Sequence, residues 1–240
     1  DLIVNAKKEQ TDALINNYPG TLQALEVINN KYVNLWNKRK NDEDFLTINL
    51  GTGTYEMAID IQYPEEHFSM AEDKLKKIAN NLSNEPKMLE NVPVIFSLYK
   101  NYISGLVGNV EVVNRYINQL LVHVLAYHSY EDLKIVILTD EEHVYNWNYL
   151  KAAPHLFTND KSLRMFASTE DEKKEVCYYL DRIINSRKDA FQNNEIKADE
   201  LDSIYLIITD NFKRVRDYEA INNILNSKRY LGMNLLILED

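Results

Sequence analysis

The residues from 102 to 115 have the layout of a phosphate-binding loop but lack the residues that bind phosphate. Their pattern predicts a short buried strand, a tight glycine turn and the start of a long helix. A P-loop, G-x-x-x-x-G-K-[ST], places its lysine on the phosphates and its hydroxyl on Mg²⁺. Counted from Gly108, those two positions hold Asn114 and Arg115, and Glu111 adds a negative charge where a phosphate would lie. The stretch therefore predicts a nucleotide-hydrolase scaffold that is used for something other than hydrolysis.

The turn also supplies its own anionic and capping groups. The free N–H groups at a helix N-terminus attract anions, which is how P-loops hold phosphate. Here Asn109 can cap those groups and Glu111 lies in the first helical turn, an arrangement worth about 0.5–2 kcal/mol to the helix. We therefore expect this site to be empty.

A second nucleotide-like feature lies near the end of the chain. The run from Tyr205 to Asp210 resembles a Walker-B strand, whose terminal aspartate helps to hold Mg²⁺. The following residue is Asn211, a poor base for orienting water. An aspartate after a buried strand is also a common cap or turn residue, and this alternative stays open. No catalytic residue is predicted, and the degenerate nucleotide site comprises Gly108, Asn109, Asn114, Arg115 and Asp210.

Composition argues against several other classes of function. The 240 residues carry a net charge of −10, whereas nucleic-acid binders present a basic face, so no nucleic-acid partner is expected. The single cysteine, Cys177, excludes an intramolecular disulfide and is expected in the core. His123 and His128 are five residues apart and do not share a helix face, so no metal site is predicted. No apolar run approaches the roughly 20 residues of a membrane span.

Strands and helices alternate from residue 92 onward, which predicts a doubly wound α/β sheet with helices on both faces, as in P-loop NTPases. Its central strands are the near-continuous apolar runs 133–138 and 203–209. The other elements predicted for this sheet are strands at 92–98, 102–107, 163–166 and 233–238, and helices at 110–128, 142–150, 169–190 and 218–226.

Before the sheet, the pattern predicts N-terminal helices and a small β-hairpin. The helices fall within 1–18 and 21–37, and a further helix is predicted at 68–82. The hairpin has strands at 45–50 and 55–61, with Gly51 to Thr54 as the turn. The predicted domains are a helical segment (1–40), a hairpin-plus-helix subdomain (41–91) and an ATPase-like domain (92–240). Since the chain has no initiator Met, we expect it to be a piece of a longer protein.

With these elements placed, the chain from about residue 30 onward resembles the EssC/EccC/YukB family, the FtsK/SpoIIIE-type ATPases of type VII secretion systems. More narrowly, it resembles the membrane-proximal region that precedes the active ATPase modules. The resemblance rests on short motifs in the family's order, namely Leu35–Arg39 with Asp44–Leu46 and Gly51–Gly53, Val92–Val94 with Gly105–Gly108, Ala126–Ser129 with Asp132–Ile135, and Trp147–Lys151 with Pro154–His155.

The resemblance implies a cytoplasmic, catalytically degenerate domain of a membrane-anchored secretion motor that couples or regulates protein export. ATP and Mg²⁺ would belong to the neighbouring modules, and this domain would hold no cofactor. The implied partners are other domains and copies of the same ATPase, other membrane components of the system and WXG-type substrates, with membrane attachment only through another part. Two alternatives stay open: a regulatory or weakly active nucleotide-binding domain, and a substrate-recognition or oligomerisation module.

Overall fold

The computed structural model describes residues 2–58, 87–193 and 200–239. They divide into two compact units, one of Asp1–Gly20 with Asn49–Ile95 and one of Thr21–Ile48 with Phe96–Asp240. The predicted boundaries differ from this division, because the helix that begins at Thr21 packs its Ala24 and Val27 against Ala126 and Tyr127 of the sheet unit. The predicted helix at 68–82 lies outside the described residues.

Seven strands and six α-helices make up the described elements. In chain order they are α1 (Leu2–Asn17), α2 (Thr21–Asn30), β1 (Thr47–Glu56), β2 (Met88–Ser97), β3 (Ile103–Val107), α3 (Val110–Tyr127), β4 (Leu133–Leu138), β5 (Phe166–Ala167), α4 (Glu170–Gln192), β6 (Ile204–Thr209), α5 (Phe212–Val215), α6 (Glu219–Leu225) and β7 (Met233–Glu239). Two 3-10 segments, Glu141–Leu150 and Pro154–Leu156, connect β4 to β5.

The larger unit is built on a five-stranded sheet with the order β3-β7-β6-β4-β5. All of its strand pairs are parallel. Every residue of β4 and β6 is buried, which requires cover on both faces because strand side chains alternate. The doubly wound α/β architecture predicted from the sequence is therefore confirmed.

The buried side chains of α3 explain why this helix could be predicted from the sequence. Its buried side chains recur every three or four residues and so form one stripe that meets the core. The stripe comprises Val113, Ile117, Leu120, Leu121 and Val124.

The predicted hairpin turn is wrong. Residues 51–54 lie within β1, a single ten-residue strand that is paired with β2. Gly51 has a φ of +137°, a conformation that side chains rarely adopt. A Cβ on Gly53 would lie 2.7 Å from Val94 Cγ2. The two glycines therefore serve backbone geometry and close packing rather than a turn.

Further elements differ from the sequence prediction. The strand expected at 92–98 as part of the large sheet is β2, which pairs with β1 in a separate two-stranded sheet. The helix expected at 142–150 is a 3-10 segment, and the strand expected at 163–166 is the two-residue β5. Helix α5 was not predicted, because its four residues are too short to show a period.

Candidate functional site

The carboxyl ends of β4 and β6 form the crevice at which doubly wound sheets bind ligands. From β4 the chain runs through a 3-10 segment to β5, whereas from β6 it runs through α5 and α6 to β7, in the opposite direction across the sheet. Such a reversal between adjacent strands marks a topological switch point. The residues at these two strand ends are Thr139, Asp140, Asp210 and Asn211.

Asp210, the Walker-B-like residue, holds a buried part of the fold together. Its Oδ2 accepts hydrogen bonds from Thr139 Oγ1 at 2.7 Å and from Trp147 Nε1 at 3.0 Å. The same oxygen lies 3.7 Å from His143 Nδ1. Its other oxygen, Oδ1, is buried and has no hydrogen-bond partner among the residues that the structure describes. Asp210 therefore anchors the 3-10 segment on the sheet, and the oxygen that contacts Thr139 and Trp147 is already occupied.

A second carboxylate at the crevice, Asp140, is closed off by cations and an amide. Lys173 Nζ lies 2.6 Å from Oδ1, while Asn211 Nδ2 donates to Oδ2 at 2.7 Å. Arg214 Nε lies 3.5 Å from Oδ2. Burial acts to raise the pKa of Asp140, but the hydrogen bonds and charges of these neighbours outweigh it and hold the pKa below its ordinary value.

The lysine of this cluster was not found by sequence reasoning. The Lys173 side chain is only 1% exposed and contacts Glu170 as well as Asp140. The sequence does not distinguish Lys173 from the other charged residues of its polar helix, because its partner Asp140 lies 33 positions earlier in the chain. A buried lysine paired in this way is a structural ion pair rather than a free phosphate ligand.

The turn at the P-loop position is too short to cradle a phosphate. Only Gly108 and Asn109 separate β3 from α3. The Gly108 N–H donates to the Glu239 carbonyl at 3.1 Å, and Asn109 Oδ1 accepts from the Glu111 N–H at 3.0 Å. Two of the N–H groups that a phosphate would need are therefore bonded within the protein, and Asn109 is the cap expected from the sequence.

A cavity of about 140 Å³ lies beside this turn, and it unites only part of the predicted site. Asn114 and Asp210 line it, together with the carboxylate-bearing Glu239. None of the described residues that line it is a lysine or an arginine. Arg115 is exposed and borders a separate depression beside Thr21. The cavity thus offers carboxylates, amides, a tyrosine and the imidazole of His143, but its described lining lacks the lysine or arginine that would bind a triphosphate.

His128, His155 and the single cysteine are structural. His128 Nε2 accepts from the Leu46 N–H at 3.0 Å, and burial lowers its pKa to about 3. His155 Nε2 lies 2.8 Å from the His128 carbonyl, and burial lowers its pKa to about 4. Cys177 is buried, as predicted, and burial raises its pKa to about 12. Across the described ranges no group of three potential metal ligands occurs, and no helix is long and apolar enough to cross a membrane.

Comparison with known proteins agrees with this fold. No family model matches the chain. The chain is 22% identical to the type VII secretion system protein EssC of Staphylococcus aureus (strain NCTC 8325) over 241 residues, which cover 99% of this chain and 16% of EssC. It is 22% identical to the ESX secretion system protein YukB of Bacillus subtilis over 204 residues, covering 85% of this chain and 13% of YukB. The chain thus spans about a sixth of the length of its curated relatives.

Among solved structures, EssC (ATPases 2 and 3) from Geobacillus thermodenitrificans has a similar fold. The TM-score is 0.50 at 15% sequence identity, over 85% of this chain and 35% of that one. At this level of identity the likeness concerns the fold alone.

Proposed function

We propose that this chain, which belongs to the EssC/EccC/YukB family of type VII secretion proteins, is a catalytically degenerate ATPase-like domain of a secretion motor. It couples or regulates protein export and does not hydrolyse ATP. It lies on the cytoplasmic side of the cell membrane and is tethered there by another part of the motor protein. Its partners are other domains and copies of that protein, other membrane components of the system and WXG-type substrates.

The observation that carries the proposal is the closed turn at Gly108. Its N–H is bonded to Glu239, and the Glu111 N–H is bonded to the side chain of Asn109. A phosphate would have to break both interactions, each worth about 0.5–1.5 kcal/mol net. No lysine or arginine is found among the described residues that line the cavity, so the side chains that P-loops use against phosphate are missing there.

Electrostatic repulsion also opposes nucleotide binding in the cavity. Asp210 and Glu239 both line the cavity that a nucleotide would enter. Two like charges 4 Å apart repel by about 4 kcal/mol near a protein surface. A triphosphate carries several charges, so bound Mg²⁺ would have to offset this repulsion. Asp210 already uses one carboxylate oxygen for two hydrogen bonds inside the protein, which weakens it as a ligand for Mg²⁺.

The test is an ATP titration by calorimetry, with and without Mg²⁺, up to about 1 mM nucleotide, which detects a Kd as weak as about 1 mM, a binding free energy of roughly −4 kcal/mol. We expect no saturable heat. A matched double variant, Asn114→Lys with Arg115→Thr, restores the missing P-loop side chains without lengthening the turn. We expect this variant not to bind either, because the backbone cradle is still missing. Saturable binding by the unmodified chain near one equivalent would overturn the proposal.

One observation favours the alternative of a regulatory nucleotide site. Asp210 Oδ1 is buried without a partner and Asp210 borders the cavity. A Mg²⁺-nucleotide that used this oxygen would bind only in the presence of Mg²⁺ and would lose affinity in Asp210→Asn. That variant keeps an oxygen to accept from Thr139 and Trp147, so a loss of affinity would report on the ligand rather than on unfolding.

The third candidate, a recognition or oligomerisation module, rests on the exposed apolar side chains of α2. Leu22 is 75% exposed and Leu25 is 39% exposed, so both side chains are available to a protein partner. Such contacts are compatible with coupling, so this candidate and the first are not exclusive.

A further inference from the structure

The free edge of β3 lacks the features that protect sheet edges. β3 is five residues long, lies at one end of the sheet and has β7 as its neighbour. Its sequence, Ile103 to Val107, contains no charge and no proline. Natural proteins usually shorten edge strands or place charges on them. The opposite edge fits that rule, because β5 has two residues and follows the basic Arg164.

The backbone groups of β3 alternate between β7 and the outside. The Tyr102 carbonyl accepts from the Leu235 N–H, and the Gly108 N–H donates to the Glu239 carbonyl. In a parallel pair, every second residue of a strand bonds to a given neighbour. The intervening residues, at positions 103, 105 and 107, therefore direct their N–H and C=O groups away from β7. Among the described residues, no hydrogen-bond partner is found for these groups.

The same three residues also present an uncovered face. Ile103 is 39% exposed and Val107 is 76% exposed, while Ser104 and Leu106 on the other face are partly covered. Strands of parallel sheets are normally covered on both faces. β3 thus combines unpaired backbone groups with exposed β-branched side chains, which favour strand pairing.

Gly105, at the centre of β3, has room for a side chain. Its φ is not in the left-handed region, and a Cβ there would meet only the Ile237 carbonyl, at 4.0 Å. Strand side chains stand perpendicular to the sheet, so a side chain at this position would not obstruct a strand that pairs at the edge.

We infer that β3 pairs antiparallel with β3 of a second copy about a two-fold axis at Gly105. The strand is self-complementary in this register, because Gly105 faces Gly105 while Ile103 faces the partner's Val107. The outward-directed residues then form the hydrogen-bonded pairs of an antiparallel ladder, two bonds for each pair. The two sheets would join into one continuous sheet across an isologous interface.

The flanking charges agree with this register. Exposed Lys100 lies in the turn before β3, and exposed Glu111 lies in the first turn of α3. An antiparallel arrangement brings the start of one strand beside the end of the other, so each Lys100 approaches the partner's Glu111. A single strand pair buries less than the roughly 1,200 Å² of stable interfaces. We therefore expect a weak dimer whose population depends on concentration.

Sedimentation velocity from micromolar to about 1 mM protein measures this association. We expect a monomer–dimer equilibrium whose Kd rises at least about 10-fold in Val107→Lys, because the charge lies on the paired edge. Tyr178→Lys places the same charge on an exposed side chain of α4, which packs against β5 at the opposite edge of the sheet, and should leave the Kd within about 3-fold. A chain that stays monomeric throughout, or a dimer that both variants weaken equally, would overturn the inference.

A cross-link tests the register itself. In a hydrogen-bonded antiparallel pair the facing Cα atoms are about 5.5 Å apart, within the range that a disulfide spans. Gly105→Cys should therefore form a covalent dimer on mild oxidation, while the native Cys177 is buried. Val112→Cys, whose thiol lies off the axis, should cross-link at least about 10-fold more slowly. Equal cross-linking rates for the two variants would contradict the proposed axis.

Discussion

Replacing Asp210 with alanine separates a structural aspartate from a metal-binding one. The carboxylate accepts from Thr139 and Trp147, and both of these residues are buried. Hydrogen bonds to a charged group contribute about 1.5–3 kcal/mol each, so losing two costs about 3–6 kcal/mol. Removing the unpartnered Oδ1 also removes its desolvation penalty, which stabilises the folded chain by about 1–3 kcal/mol. From the middle values of these two ranges, we expect Asp210→Ala to lower the free energy of unfolding by about 2–3 kcal/mol.

Urea unfolding, monitored by tryptophan fluorescence, measures this change, because Trp147 is buried in the folded chain and becomes exposed on unfolding. Asp217→Ala is a matched control: its carboxylate is 86% exposed and lies 3.7 Å from exposed Arg216, so a change below about 0.5 kcal/mol is expected. An aspartate kept for a ligand usually costs stability, so its removal is neutral or stabilising. If Asp210→Ala unfolds at the same urea concentration as the parent or at a higher one, the structural role assigned here is wrong.

Two further predictions concern glycines and pH. Gly53→Ala should lower the free energy of unfolding by about 1–3 kcal/mol in urea, because its Cβ would lie 2.7 Å from Val94. Gly108→Ala should change it by less than about 0.5 kcal/mol, since its Cβ meets nothing closer than 3.7 Å. Equal effects of the two variants would contradict the packing described. Burial lowers the pKa of His128 to about 3 and of His155 to about 4, so between about pH 6.5 and pH 4 the unfolded chain binds protons that the folded chain does not. Unfolding free energies measured at pH 7, 6 and 5 should fall by up to about 1.4 kcal/mol per pH unit for each histidine, and a flat profile would contradict the neutral, buried state of the two rings.

The elements of the sheet were predictable because their patterns are local. The apolar runs of β4 and β6 and the stripe of α3 follow from periods of two and 3.6 within one segment. The hairpin failed for the opposite reason. Gly53 is required by Val94, a contact with a strand about 40 residues further along, and such a contact leaves no mark on the local pattern.

The candidate site was predictable in position but not in chemistry. The sequence indicated that Asp210 follows a buried strand, and this is confirmed. It did not indicate that Trp147, 63 positions away, donates to its carboxylate. Nor did it indicate that the side chain of Arg115 borders a depression beside Thr21 instead of the cavity. Neighbours brought together by tertiary packing decide whether a carboxylate is free, and a single sequence does not record them.

The polar clusters at the crevice bear on where this domain makes its contacts. Asp140 with Lys173, and Asp210 with Thr139 and Trp147, use protein groups to satisfy the strand ends at which doubly wound sheets bind ligands. Buried polar pairs of this kind add little net stability over apolar packing, but breaking one is costly. The strand ends are thus held in one arrangement without a ligand. The proposed coupling function would then act through outer surfaces of the domain, and the edge of β3 is such a surface because both its backbone groups and its side chains are available to another chain.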